Sequence, residues 1–312
     1  MLDAPSKALF HGLAHISTLQ RLASKYGMAP GGGFARRFIA GESVEEAVLA
    51  VRELPAQGLH LTLDYLGESV TSAAAAAAAA ADYVAIIGAI VASGVERNIS
   101  LKLTQLGLDV DRATAVDNIR RILEPADAHG FFVRIDMENS PYTDATVGIL
   151  ETLWQQGHRQ IGTVIQSYLK RSEADIRRLN ALGSRVRLVK GAYQEPREVA
   201  YQNKTEVDAA FVELMQLLLD HGRYPAIATH DPEMIEATKA YARQKQYTGE
   251  RFEFQMLYGI RRDLQAALVK EGYRVRVYVP FGKQWYPYFM RRLGERPANV
   301  AFVLRGIFSD RG

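Results

Sequence analysis

The chain has 312 residues, 48% of them apolar and 23% charged, a globular composition that excludes disorder and fibre. At that length about three quarters of the unfolded surface is buried without staples. The absence of cysteine excludes disulfides, thiolate zinc sites and cysteine-ligated iron–sulfur clusters, and suits a reducing compartment. The net charge of +3 comes without a run of like charge or a basic–aromatic stripe, so no nucleic-acid partner is expected. It suits an anionic ligand or a peripheral approach to an acidic membrane surface.

The first residues lack the basic start, apolar stretch and cleavage site of a secretory signal, so a cytoplasmic protein is expected. Residues 1–57 read as a helical arm of two segments around Pro30-Gly31-Gly32-Gly33. The first carries Leu9, Leu13, Ile16, Leu19 and Leu22 at helical spacing; the second starts near Glu42-Ser43 and ends by Pro55. His11 and His15 stand four apart with no third ligand nearby, so no metal is expected.

After Gly58 the texture changes, and residues 58–312 read as one catalytic domain. β-Rich runs at 59–65, 99–106, 131–138, 161–168, 186–190, 226–229, 252–257 and 275–279 alternate with helical stretches at 114–129, 143–156, 173–182, 206–221, 232–241 and 261–271. Eight such units predict a closed (βα)8 barrel of the TIM type, typically about 250 residues, with a last helix after the eighth strand. No G-x-G-x-x-G follows the first strand, which argues against an open doubly wound sheet. The run from Ser72 to Gly94, with nine alanines at 73–81 and Asp82 as its one charge, imitates a membrane span. Alanine adds little insertion energy and a central Asp costs about 2.5–3.5 kcal/mol, so a soluble helix is expected. A nine-alanine run is odd on a helix face that ordinarily carries charge.

Barrel enzymes place their chemistry at the C-terminal strand ends. Here those ends carry Asp64 with Glu68, Lys102, Asp136, Gln166, Arg187 with Lys190, Thr229 with His230, Gln255 and Tyr278. Lys102 lies between apolar residues, and a buried lysine needs a partner, a lowered pKa or a task; Asp136, one strand on, is its expected ion-pair partner. In Arg187-Leu188-Val189-Lys190-Gly191-Ala192-Tyr193 two cations flank small residues that admit a ligand to the backbone, a pattern suited to a pyrophosphate-bearing cofactor. After the eighth strand, Tyr288 shares a helix face with Arg291 and Arg292, a pairing that can clamp a carboxylate beneath an aromatic wall or simply form a solvated face. Glu295 is an alternative partner for either arginine.

These segments together resemble the proline dehydrogenases, including the barrel of the bifunctional proline-utilisation flavoproteins. The matching pieces are Asp64-Tyr65-Leu66-Gly67-Glu68, Lys102-Leu103, Ile135-Asp136, Gln166-Ser167-Tyr168, residues 187–193, Ala228-Thr229-His230, Phe254-Gln255-Met256-Leu257 and residues 288–292. They run in the family's order from about residue 59 to residue 302.

The resemblance implies oxidation of L-proline to Δ1-pyrroline-5-carboxylate, the first step of proline catabolism, by hydride transfer to the N5 of a non-covalent FAD. A membrane quinone would take the electrons, and a separate pyrroline-5-carboxylate dehydrogenase would use the product. By motif position FAD would meet Met137, Gln166, Arg187, Val189, Lys190, Gly191, Ala192, Thr229 and His230. Asp136 and Arg187 would be the catalytic pair, with Arg187 near N5. Lys102, Arg291 and Arg292 would hold the proline carboxylate, Asp136 would orient this cationic group, Tyr278, Tyr288 and Leu257 would wall the ring, and Glu68 would pair with Arg291 as a gate. Two departures stand out: Asp231 where the bifunctional members carry Asn, and Gln194 where they carry Trp. Rival readings are a Schiff-base aldolase with Lys102 or Lys190 as nucleophile, and a non-catalytic scaffold, which leaves the polar strand ends unexplained.

Overall fold

A computed structural model of the protein describes residues 27–28 and 33–295; within that span the side chains of Phe34, Arg291 and residues 293–295 are outside the described set. The first helical segment, with His11 and His15, lies outside the described residues.

Eight parallel strands form a closed barrel in chain order. They are β1 (Leu59–Tyr65), β2 (Asn98–Leu101), β3 (Phe132–Ile135), β4 (Ile161–Gln166), β5 (Arg185–Val189), β6 (Ala226–Ala228), β7 (Glu253–Leu257) and β8 (Val275–Phe281). The barrel closes where β1 pairs β8, from Leu59 opposite Val275 to Tyr65 opposite Phe281. Helices α2 (Ala73–Ser93), α3 (Arg112–Ala128), α4 (Thr143–Gln155), α5 (Ser172–Leu182), α6 (Lys204–His221), α7 (Pro232–Gln244) and α8 (Arg262–Lys270) fill the crossovers, and α9 (Trp285–Glu295) follows β8.

Side chains alternate across each strand. Leu59, Leu61 and Leu63 of β1 and Val275, Val277 and Val279 of β8 join the core beneath the helices. The intervening positions are polar and meet inside the barrel, where Tyr278 of β8 reaches Asp136 after β3 and Arg187 of β5 reaches Ser100 of β2. The interior is thus a column of buried hydrogen bonds rather than a stack of branched apolar side chains.

Three strands are shorter than the sequence predicts by two residues or more. The run 99–106 leaves the ladder after Leu101, 131–138 after Ile135, and 161–168 after Gln166. The apolar pattern continues because the loops themselves are buried: Leu103 and Leu106 belong to the main core while their backbone turns, with Leu106 and Leu108 N–H both donating to the Leu103 carbonyl. At the other extreme β8 runs two residues past the expected 279.

The second arm segment forms α1 (Val44–Val51), capped by the Ser43 hydroxyl accepting from Glu46 N–H. Its Ala47 and Val51 are fully buried in the main core. Met28, Ala35, Phe38 and Ile39 form a second core with Trp285, Tyr286, Tyr288 and Phe289, which seats α9 against the barrel.

Among the described residues, α2 is the helix long and apolar enough to cross a membrane. Its Tyr83, Ile87 and Ile90 are packed in the barrel core. Ala76 stands where the Gly107 backbone passes so closely that a Cβ on Gly107 would come 2.9 Å from the alanine methyl. Larger side chains at Ala76 would displace that loop. The exposed alanines of the run have no such packing reason.

Candidate active site

The strand C-termini open into a cavity of about 420 Å³. Its floor is one ionic cluster. Arg187, midway along β5 and 5% exposed, donates from Nη1 to Asp136 Oδ1 at 2.8 Å, from Nε to Gln255 Oε1 at 2.5 Å and from Nη2 to Ser100 Oγ at 3.2 Å. Its guanidinium also lies 5.2 Å from the centre of the Tyr278 ring. The Tyr278 hydroxyl donates to Asp136 Oδ2 at 2.8 Å. Asp136 therefore holds Arg187 with one oxygen and Tyr278 with the other.

The expected pairing of Lys102 with Asp136 is present at 3.9 Å, but Asp64 is nearer, at 3.5 Å. The register explains the difference: Asp64 lies opposite Ser100 in the β1–β2 ladder, which sets its side chain beside Lys102 two residues on. Burial presses the Lys102 ammonium toward neutrality, but Asp64 and Asp136 outweigh it and hold the lysine charged, its pKa raised. Burial raises the pKa of Asp64, against the opposing pull of Lys102. Its two oxygens are enclosed without hydrogen-bond partners, so Lys102 contacts it as a charge only. Burial, then Asp136 and Asp64, push the Tyr278 phenol far above its ordinary range, so this hydroxyl acts as a donor and not as a base.

The rim is built by loops. Gln166, ending β4, donates from Nε2 to the Glu138 carbonyl at 2.9 Å, leaving its Oε1 for other donors. Burial raises the Glu138 carboxyl pKa, opposed by the Thr104 hydroxyl at 2.6 Å. After β6, His230 Nε2 accepts the Leu257 N–H at 2.9 Å, which makes neutral His230 the Nδ1–H tautomer. Thr229 Oγ1 accepts from Asp231 N–H at 3.0 Å. Gly191, after β5, has φ +117°, and a Cβ there would stand 2.4 Å from the Tyr168 ring. Only glycine lets the chain turn at this point of the wall.

Lys190 is paired with two carboxylates, Asp208 and, at 2.6 Å, Asp231. Asp231, the departure noted above, thus compensates a cation expected to face the cofactor. Lys204 joins both aspartates and Glu233; although Asp208, Asp231 and Glu233 converge as metal ligands would, two ammonium groups occupy their midst.

The nine residues expected at the cofactor all line the cavity: Met137, Gln166, Arg187, Val189, Lys190, Gly191, Ala192, Thr229 and His230. Lys102, Asp136, Leu257, Tyr278, Tyr288 and Arg292, expected at the substrate, line it too, with Arg292 stacked 5.2 Å from the Tyr288 ring centre. The gate between Glu68 and Arg291 lies outside this comparison, since the Arg291 side chain is outside the described set. Sequence reasoning named Asp64 and Gln255 only as polar strand ends, and it passed over Ser100, which completes the cluster around Lys102 and Arg187 with them, and Glu253 beneath. The alternation of β7, which puts Glu253, Gln255 and Leu257 on one face, was the available signal.

A barrel whose strand ends carry a buried guanidinium–carboxylate–phenol cluster, open to a cavity rimmed by small residues, defines a ligand-converting barrel enzyme. The proline dehydrogenase family matches residues 47–305. Proline dehydrogenase 1 of Bacillus subtilis is 44% identical over 299 residues, covering 96% of this chain and 98% of its own length. Proline dehydrogenase of Deinococcus radiodurans is 43% identical over 277 residues, 88% of this chain and 89% of its own. The chain belongs to the proline dehydrogenase family. A solved structure of proline utilization A from Bdellovibrio bacteriovorus, inactivated by N-propargylglycine, superposes with a TM-score of 0.79 at 28% identity; it covers 90% of this chain, which spans only 34% of that longer protein.

Proposed function

We propose that the chain oxidises L-proline to Δ1-pyrroline-5-carboxylate with non-covalently bound FAD, passing the electrons to a membrane quinone. The observation that carries this reading is the Arg187–Asp136–Tyr278 cluster at the floor of the cavity, in a chain of this family. The donor set suits the cofactor. Gln166, Arg187, Thr229 and His230 offer polar groups to a heteroaromatic ring, and Gly191 and Ala192 leave a flat wall. When bound, FAD supplies the acceptor for the hydride leaving proline C5.

The protein's part is binding, orientation and desolvation. Lys102 and Arg292, with Arg291, hold the substrate carboxylate, the first two lining the cavity. Asp136 fixes the Arg187 guanidinium at the cavity floor, where it would stabilise negative charge developing on a bound acceptor, a preorganised electrostatic contribution. Tyr278, Tyr288 and Leu257 wall the pyrrolidine ring. The raised Lys102 pKa weighs against the Schiff-base reading, because a nucleophilic lysine needs a lowered one; Lys190 is held in two ion pairs. Proline catabolism to glutamate would continue on a separate pyrroline-5-carboxylate dehydrogenase. The reading places the chain in the cytoplasm, peripheral to the inner face of the membrane. Titrating flavin-free protein with FAD in a calorimeter tests it: saturable binding is expected, and no heat at saturating FAD would refute it.

A further inference from the structure

Beneath the cluster the hydrogen bonds continue into the barrel. Gln255, whose Oε1 accepts from Arg187, donates from Nε2 to Glu253 Oε1 at 2.5 Å. Glu253, 2% exposed, is saturated with donors: Arg276 Nε at 2.8 Å and Nη2 at 3.1 Å, and the Tyr224 hydroxyl at 3.1 Å. Arg276 is itself anchored by the Leu61 carbonyl and Glu96. A carboxylate accepts only and a guanidinium donates only. The Gln255 amide between them can satisfy both in one orientation, with its NH2 toward Glu253 and its oxygen toward Arg187. The reversed amide would set donor against donor and acceptor against acceptor at a residue only 3% exposed.

We infer that Glu253 is a positioning residue for the reaction, acting through Gln255 to hold the Arg187 guanidinium in its working orientation. The inference rests on the role proposed for Arg187 above. Glu253 has no access to the cavity, whose lining on β7 begins at Gln255. Of its hydrogen-bond partners, Gln255 is the one that also bonds Arg187.

A double-mutant cycle tests this. Glu253→Met removes the acceptor and frees the amide to rotate; Gln255→Met removes the relay itself. Each is expected to lower kcat by about 10- to 100-fold, the cost of a misplaced group, with the KM for proline nearly unchanged. In the double variant kcat falls no further. Multiplying kcat effects, or a Gln255→Met enzyme with unchanged kcat, would overturn the inference. If Glu253→Met does not fold, Glu253→Gln takes its place, keeping an acceptor for Arg276 while losing the charge that fixes the amide. A second readout needs no cofactor: in flavin-free protein the Arg187 Nε–H should exchange slowly with solvent, and at least tenfold faster in either Glu253 variant. Equal exchange would refute the relay even if FAD proved not to bind; wild-type protein that binds no FAD yet shows the protected Nε–H would refute the functional reading alone.

Discussion

Replacing Asp136 with Asn keeps the side chain's shape and removes its charge. Asp136 is 8% exposed and accepts from Arg187 and Tyr278 at 2.8 Å each. In the Asn variant one of these donors faces an NH2 group, and two cations lose a shared counter-charge. Breaking a buried pair by removing one partner costs about 3–5 kcal/mol. Asp64 still compensates Lys102 at 3.5 Å, and Gln255 and Ser100 still accept from Arg187, so the lower end applies, about 3 kcal/mol. Urea unfolding of wild-type and variant protein, both flavin-free, measures the difference through the shift in midpoint at equal slope. A loss below about 1 kcal/mol, the size of an exposed ion pair, would show that the cluster is solvated and the account of its electrostatics wrong.

Burial raises the Glu96 carboxyl, but His60, Arg276 and the Leu61 N–H outweigh it and hold its pKa at about 2. A depressed carboxylate stabilises the fold above its unfolded pKa and loses that contribution as pH falls through the folded value, here between about pH 4.5 and 2. Because the pair is partly exposed, Glu96→Gln should flatten the stability profile in that window by about 1–2 kcal/mol; a profile parallel to wild type refutes the assignment. Gly191→Ala forces a side chain into left-handed backbone and into the Tyr168 ring; we expect about 1–3 kcal/mol lost and weaker FAD binding by calorimetry, and wild-type values for both would disprove the tight turn. Tyr288→Ser removes a wall of the cavity and adds a hydrogen-bonding partner. Its kcat/KM should fall for proline and rise relative to it for 4-hydroxyproline, within the roughly 10–200-fold that one small group commands. An unmoved ratio would place Tyr288 away from the substrate ring.

The barrel was legible because its outward strand residues are mostly apolar, and because helical stretches separate the strands. Strand ends were less so: Leu103, Leu106, Tyr168 and Leu169 extend the apolar pattern into loops that are themselves buried. The site residues stood out as polar groups closing apolar strands. Their partners did not, because partnership across a barrel depends on register. Nothing local says that Asp64 faces Lys102 more closely than Asp136 does, or that Gln255 bridges Arg187 to Glu253. Lys190 shows the same limit, since its two carboxylates come from residues 18 and 41 positions away.

The central claim is that proline surrenders its electrons in this cavity to a bound flavin. Anaerobic addition of L-proline to the FAD-loaded protein tests it most directly, with the flavin absorbance followed and the product trapped as the pyrroline. The account predicts bleaching in proportion to proline consumed, with Arg292→Ala protein keeping its flavin yet needing far more proline. A flavin spectrum unmoved by saturating proline would contradict it.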